Sequence, residues 1–314
     1  MSIFKKKKPT SVPPKPTPPA PPVQNIGLNM ANSTKFTDDP TVVDYTKQVL
    51  AGLSKKGSKP TGRYPGGTDA NYFFPLGADS ENLSKMVQDS ITFGMDVIVV
   101  GNNTGTMDDD ICLIEAFKSK GKNPIAFEVG NEPYLTKKYN LTVEQYLNIV
   151  KPRIANIKKH YPTMKCGVSI MPIRGMKDTN NGSPEIILTP AQQEKLEAKN
   201  ALVAEAWNKY IIDSGVGDFY IQHFYPSAEN MEEAINVFTG QKYDKPLYLT
   251  ETNTAGTSEQ QVDFYRLFSP IVRKLEWCPV VIFHAGPAAG ENWPTVRIQG
   301  KNITITPFGQ AMIE

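Results

Sequence analysis

Apolar and polar positions follow two rhythms along this chain. Short runs that are continuously apolar, or alternate one by one, are separated by longer stretches with apolar residues every three or four positions. The first run is Asn25 to Met30. A helix then opens at Asp39-Pro40, an N-cap followed by a first-turn proline, with Val42, Tyr45, Val49, Leu50 and Leu53 on its apolar face. A second strand is expected near Gly62-Arg63-Tyr64, before the turn Pro65-Gly66-Gly67-Thr68. Ser80 is expected to cap a helix that buries Leu83, Met86, Val87, Ser90 and Ile91. Asp96 to Val100 reads as a strand of a buried parallel sheet. Asp108, Asp109 and Asp110 fall at a helix N-terminus, where cap and dipole favour acids. Gly121 ends that helix, and Pro124 to Val129 is the fourth strand. Thr142 and Gln145 have capping-box spacing for a helix to about His160, which Pro152 is expected to kink or break.

The second half repeats the scheme. Lys165 to Met171 is the fifth strand, and a long polar loop, Met171 to Leu188, is a candidate lid. Thr189-Pro190 opens a helix that Gly215 ends. Asp218 to Phe224 is the sixth strand, Ser227 caps the next helix to about Gly240, and Pro246 to Thr250 is the seventh strand. Ser258 and Gln261 have capping-box spacing for a helix containing Pro270, and Val280 to His284 is the eighth strand. Thr295 to Ile298 and Asn302 to Ile305 read as a hairpin, and Thr306-Pro307 opens a last helix. Eight strand–helix repeats predict an α/β fold, a single-domain (β/α)8 TIM barrel over residues 25–314. A doubly wound open sheet is the structural rival, but no dinucleotide-type glycine fingerprint follows the first strand.

Composition adds an arm to this picture. Pro9 to Pro22 holds eight prolines, and the five lysines of residues 1–24 meet no acid. Residues 1–24 are therefore expected to be a flexible, extended arm, either solubilising or tethering the barrel to a larger assembly such as a virus particle. With +2 for the whole chain, the remainder carries −3, which argues against a nucleic-acid partner. No apolar run reaches the ~18 residues of a membrane helix. Prolines, not an apolar run, follow Lys5 to Lys8, so no secretory leader is expected. The expected setting is soluble, cytoplasmic or virion-associated. Cys112, Cys166 and Cys278 have neither disulfide nor zinc spacing and are expected to be buried thiols.

In such a barrel the chemistry gathers at the C-terminal strand ends. Those positions supply Asn29, Arg63, Asn102 and Asn103, Asn131 and Glu132, His223 and Tyr225, Glu251, and His284 with nearby Trp293. Two carboxylates, Glu132 after strand four and Glu251 after strand seven, flank one barrel mouth. A pair of acids across a cleft is the minimal equipment for cleaving a glycosidic bond: one protonates the leaving oxygen, and the other attacks the anomeric carbon or activates water. Two strand-end histidines without three- or four-ligand spacing do not suggest a metal, and no cofactor is expected.

Gly130-Asn131-Glu132-Pro133 and Leu249-Thr250-Glu251 resemble the strand-four and strand-seven ends of the retaining (β/α)8 glycoside hydrolases, clan GH-A. Arg63-Tyr64-Pro65-Gly66-Gly67 resembles a strand-two turn of its arabinofuranosidase-like and glucuronidase or heparanase-like members. His223-Phe224-Tyr225 resembles their strand-six His-x-Tyr. The resemblance implies a carbohydrate substrate, Glu132 as acid/base and Glu251 as nucleophile. It also implies that Asn131 bonds the sugar 2-hydroxyl and Tyr225 donates to the nucleophile. Arg63 would orient Glu251 or a substrate hydroxyl, and Trp293 would stack on a sugar ring. Asn29, Asn102, His223 and His284 complete the expected substrate-binding set. The competing expectation is a catalytically silent barrel that binds carbohydrate or serves as a structural module.

Overall fold

Eight parallel strands close on themselves: β1 Asn25–Asn29, β2 Lys59–Tyr64, β3 Asp96–Gly101, β4 Ala126–Val129, β5 Cys166–Ser169, β6 Phe219–Phe224, β7 Leu247–Thr252 and β8 Val280–Phe283, with β8 pairing β1. This is a computed structural model, and it describes residues 24–30, 38–55, 57–77, 80–135, 141–172, 190–254, 256–287 and 294–314. The expected arm (except Gln24), most of the expected lid loop and Trp293 lie outside the described residues. The helices are α1 Pro40–Lys55, α2 Ser80–Thr92, α3 Met107–Lys118, α4 Val143–His160, α5 Pro190–Asp213, α6 Met231–Thr239, α7 Ser258–Val272 and α8 Pro307–Ile313. An antiparallel hairpin, β9 Val296–Gln299 and β10 Asn302–Ile305, precedes α8.

Alternation along the strands sorts their residues into two cores. Ile26, Leu28, Val97, Val99, Phe127, Val129, Tyr220, Leu249 and Phe283 face the helices and share one large apolar core with them. The opposite positions, Ile98, Ala126, Phe219, Ile221, Tyr248, Val280 and Ile282, form a separate buried cluster in which Phe219 stacks on Tyr248 at 3.8 Å. Burying each large aliphatic or aromatic side chain contributes about 1.5–3 kcal/mol, so these two layers hold the barrel shut. The interior glycine of β1 is a packing requirement, because a Cβ on Gly27 would lie 1.6 Å from the Thr61 carbonyl oxygen of β2. The barrel body already includes Gln24, whose Nε2 donates to the carbonyls of Val272 and Cys278.

Several local expectations need correction. Neither Pro152 nor Pro270 breaks its helix. Both prolines, and the residues four positions before them, face solvent, where a carbonyl without its helical donor remains hydrated. The last capping box is Thr257 with Gln260 rather than Ser258 with Gln261. Gln261 is buried and donates to the Gly256 carbonyl, so it cannot reach the cap. Ser227 closes a turn onto Asn230, and α6 starts only at Met231. Ile91 sits at the edge of the α2 stripe and is 39% exposed. Cys112 is half-buried, whereas Cys166 and Cys278 are buried.

Candidate active site

Strand β4 delivers the first carboxylates. Phe127 and Val129 point outward, so Glu128 points inward and is completely buried. Gly130 then turns the chain at φ 91°, and a Cβ there would lie 2.3 Å from Asn103 Oδ1. That close approach lets Asn103 clamp the strand end: its Oδ1 accepts from Asn131 N at 2.9 Å and its Nδ2 donates to Asn131 O at 2.5 Å. Glu132 follows with φ 47°, a left-handed conformation costing a non-glycine residue about 1–3 kcal/mol. The clamp over-determines the backbone at the residue that faces the mouth.

Glu251 reaches the same mouth through a bulge. On β7, Tyr248 faces in and Leu249 faces out, so strict alternation would send Thr250 in and Glu251 out. The pairing instead shifts register between Gln222 and His223 of β6, and between Leu249 and Thr252 toward β8. The extra residue turns Thr250 and Glu251 both inward, as bulges do where a side chain is re-aimed. Glu251 therefore lies within β7, which runs two residues further than the pattern suggested.

Arg63, fully buried at the end of β2, binds the two strands' acids together. Its Nε and Nη2 meet Glu128 Oε2 and Oε1 at 2.7 and 2.9 Å, a bidentate pair, and its Nη1 meets Glu251 Oε1 at 2.5 Å. Nη1 also donates to Asn29 Oδ1 and Nη2 to Asn131 Oδ1. Asn29 in turn donates from Nδ2 to Glu251 Oε1 at 3.1 Å. Asn29 packs so closely that a Cβ on Gly66 would lie 2.6 Å from its Oδ1, and Gly67 turns at φ 57°. The glycine pair of the strand-two turn is thus fixed by the site. Burial works against the charge on Arg63, but Glu128 and Glu251 outweigh it and keep the guanidinium protonated. Burial also penalises the charge on Glu128; Arg63 and His223 more than compensate, and its carboxyl sits below the usual range.

His223 stands between the acids. Its Nδ1 is 3.0 Å from Glu132 Oε1 and 3.5 Å from Glu251 Oε2, and its Nε2 is 3.7 Å from Glu128 Oε1. Burial lowers its basicity, but Glu251, Glu128 and Glu132 outweigh burial and push it up to about 10. Tyr225 Oη donates to Glu251 Oε2 at 2.6 Å and lies 3.0 Å from His284 Nδ1. An Oη that donates to the carboxylate can accept from His284 only if Nδ1 carries the hydrogen, which fixes that tautomer. Burial raises the Glu251 carboxyl, yet His223, Arg63, His284 and Tyr225 together hold it far below the carboxylate range. Glu251 is thus ionised, and the partly exposed Glu132 faces it across His223.

The structure brings together Asn29, Arg63, Asn131, Glu132, His223, Tyr225, Glu251 and His284. Asn131 is 1% exposed; besides accepting from Arg63, it donates from Nδ2 to the Gly67 carbonyl. Asn102 does not join them: its Nδ2 donates to the carbonyls of Asn71 and Phe73 and its Oδ1 accepts from Thr104, so it fastens loops. Its neighbour Asn103 is the one that touches the site. Glu128 and Thr250, which donates to Glu128 at 3.0 Å, join the site without having been anticipated from the sequence. A charged residue inside the apolar run of strand four was the available signal for Glu128.

Among the described residues, Glu132, His223 and Glu251 are the one group whose ligand-type atoms all lie within 4.8 Å of one another. Both oxygens of Glu251 already accept hydrogen bonds, and the Arg63 cation lies against one of them. A divalent cation would compete with that guanidinium, so the donor set fits proton transfer better than metal binding. No helix among the described residues is long and apolar enough to cross a membrane.

No protein-family model matches the sequence, and no curated protein matches it. Solved structures do match in shape. The GH51 α-L-arabinofuranosidase of Thermotoga petrophila is 13% identical at TM-score 0.57, over 94% of this chain and 70% of that one. AbfB, a family 51 α-L-arabinofuranosidase of Bifidobacterium longum, is 11% identical at TM-score 0.57, over 93% and 72%. A GH128 endo-β-1,3-glucanase of Sorangium cellulosum is 14% identical at TM-score 0.51, over 92% and 98%. At these identities the likeness is one of fold: this chain is a (β/α)8 barrel similar to those on which these glycoside hydrolases are built.

Proposed function

We propose that the chain is a retaining O-glycoside hydrolase acting on a poly- or oligosaccharide. The observation that carries this reading is the approach of Glu132 and Glu251 oxygens to within 4.8 Å across His223. Retaining enzymes hold their two carboxyl groups about 5–5.5 Å apart, whereas inverting enzymes leave about 6.5–9.5 Å for a water. In the first step a Glu251 oxygen bonds to the anomeric carbon, the glycosidic C–O bond breaks, and the leaving oxygen takes the proton of Glu132. In the second, the Glu132 carboxylate takes a proton from water, the water oxygen bonds to the anomeric carbon, and the bond to Glu251 breaks.

The remaining residues serve these two steps. Arg63, Asn29 and Tyr225 hold Glu251 ionised and aimed, and His284 orients the Tyr225 hydroxyl. Asn131, which fixes the Gly67 turn and Arg63, is proposed to meet the sugar 2-hydroxyl. The named activities of the structural neighbours, arabinofuranosidase and β-1,3-glucanase, suggest the first substrates to try. A panel of aryl glycosides and β-glucans, with product anomers followed by NMR, is the test. Turnover with retained configuration is expected, and inverted product would remove the double displacement. A barrel that only binds carbohydrate would keep its affinity in Glu132→Gln and Glu251→Gln and show no turnover before substitution. The lysine- and proline-rich arm, residues 1–24, is proposed as a tether; deleting it should leave turnover of small glycosides unchanged.

A further inference from the structure

Glu128 has no part in the two-step scheme, yet it is the most deeply embedded acid of the cluster. Its Oε1 accepts from Arg63 Nη2 and Thr250 Oγ1 and lies 3.7 Å from His223 Nε2, while its Oε2 accepts from Arg63 Nε. It does not reach the mouth, so substrate contact is not its role. The groups that face this cluster come from every side of the barrel. They are Arg63 on β2, Glu128 on β4 with Glu132 and Tyr134 just beyond it, His223 on β6 with Tyr225 after it, Glu251 on β7 and His284 after β8. Tyr134 and Tyr225 contribute no negative charge near neutral pH, because burial and the carboxylates keep both phenols protonated.

The geometry settles the charge on His223. Each ring nitrogen faces carboxylate oxygen, Nδ1 toward Glu132 and Glu251 and Nε2 toward Glu128. Nδ1 also faces the ionised Glu251 at 3.5 Å and Nε2 faces the ionised Glu128, so a bare lone pair on either nitrogen would confront carboxylate lone pairs whichever state Glu132 takes, and both nitrogens carry hydrogens. Arg63 and His223 then supply two positive charges, and Glu128 and Glu251 two negative ones.

We propose that Glu128 is a charge-balancing positioning residue: it closes a neutral buried quartet with Arg63, His223 and Glu251, so that the proton on Glu132 follows the charge on Glu251. This rests on the reading of Glu132 as acid/base. While Glu251 is ionised the quartet is neutral, and Glu132 can keep the proton that the leaving group needs. When Glu251 is esterified by the sugar, the quartet gains one net positive charge. Ionised Glu132, the base of the second step, is then favoured. Without Glu128 the quartet would be positive from the start, and the acid would lose its proton too early.

Glu128→Gln tests this with a signature that a merely structural role does not produce. The basic limb of kcat/KM, which reports the free enzyme, should move to lower pH by about one unit, the scale on which one nearby charge acts. Glu128→Asp, which keeps the charge, and Thr250→Val, which removes only a hydrogen bond to it, should leave the limb in place even if the rate falls. A loss of rate in Glu128→Gln at every pH with the limb unmoved would overturn the proposal. NMR of the His223 ring in the wild-type protein needs neither turnover nor a folded variant. Both nitrogens protonated at neutral pH is the expected result, and a ring that is neutral there overturns the proposal. Wild-type protein that turns over no glycoside would instead count against the hydrolase reading, with the His223 measurement still judging the quartet.

Discussion

Tyr225 and His223 both hold Glu251 as a carboxylate, and each yields a separate test. Tyr225 donates one short bond to the carboxylate of Glu251, and a hydrogen bond to a charged group contributes about 1.5–3 kcal/mol. Tyr225→Phe should therefore lower turnover of an activated aryl glycoside roughly 10- to 150-fold and lower the melting temperature as well, since the buried carboxylate loses the same bond in the resting fold. His223 is held as a cation in the fold, with its proton retained up to about 10 against about 6.5 in the unfolded chain. A pKa raised by folding contributes stability that is complete below the unfolded value and is lost as pH rises through the folded one. Urea midpoints measured from pH 6 to 10 should fall across that window, and His223→Gln should flatten the fall. At this scale Glu132, Glu251, Arg63, Asn29, His223 and Tyr225 were legible because each stands at a strand end beside a turn signal. Glu128 was not, since a lone acid inside an apolar strand reveals its role only once Arg63 is seen opposite it.

Two features of the elements decide where those residues end up. The first is the tight passage from β4 to Glu132. Gly130→Ala would place a Cβ at φ 91° and against Asn103 Oδ1, breaking the clamp on Asn131. A loss of about 1–3 kcal/mol in denaturant stability is expected, together with reduced turnover. The second is the brace behind β3. Arg153 of α4 makes a buried bidentate pair with Asp110 of α3 at 2.7 and 2.5 Å and donates to the Asn102 carbonyl at 2.7 Å. Asp110→Ala strands that guanidinium and should cost about 3–5 kcal/mol, read from the urea midpoint. Element order was legible from periodicity, and Thr142 and Thr306 cap their helices with side chains as sequence chemistry suggests. The bulge that turns Glu251 inward was not legible, because a period-2 pattern contains no record of an extra residue opposite a neighbouring strand.

Across the whole molecule, closure converts residues far apart in the chain into one cluster. The strand order β1 to β8 with β8 back on β1 places Arg63, Glu128, His223 and Glu251 around a single axis. Eight repeats of strand and helix were enough to anticipate that closure, and the shape likeness to GH51 and GH128 structures agrees with it at sequence identities that show fold alone. In the proposed double displacement Glu251 forms the covalent bond and Glu132 manages the proton. Trapping with a 2-deoxy-2-fluoro aryl glycoside, followed by peptide mass spectrometry, tests it most directly. One sugar ester on Glu251, accumulating at full stoichiometry, is expected; a label on any other residue would overturn that assignment.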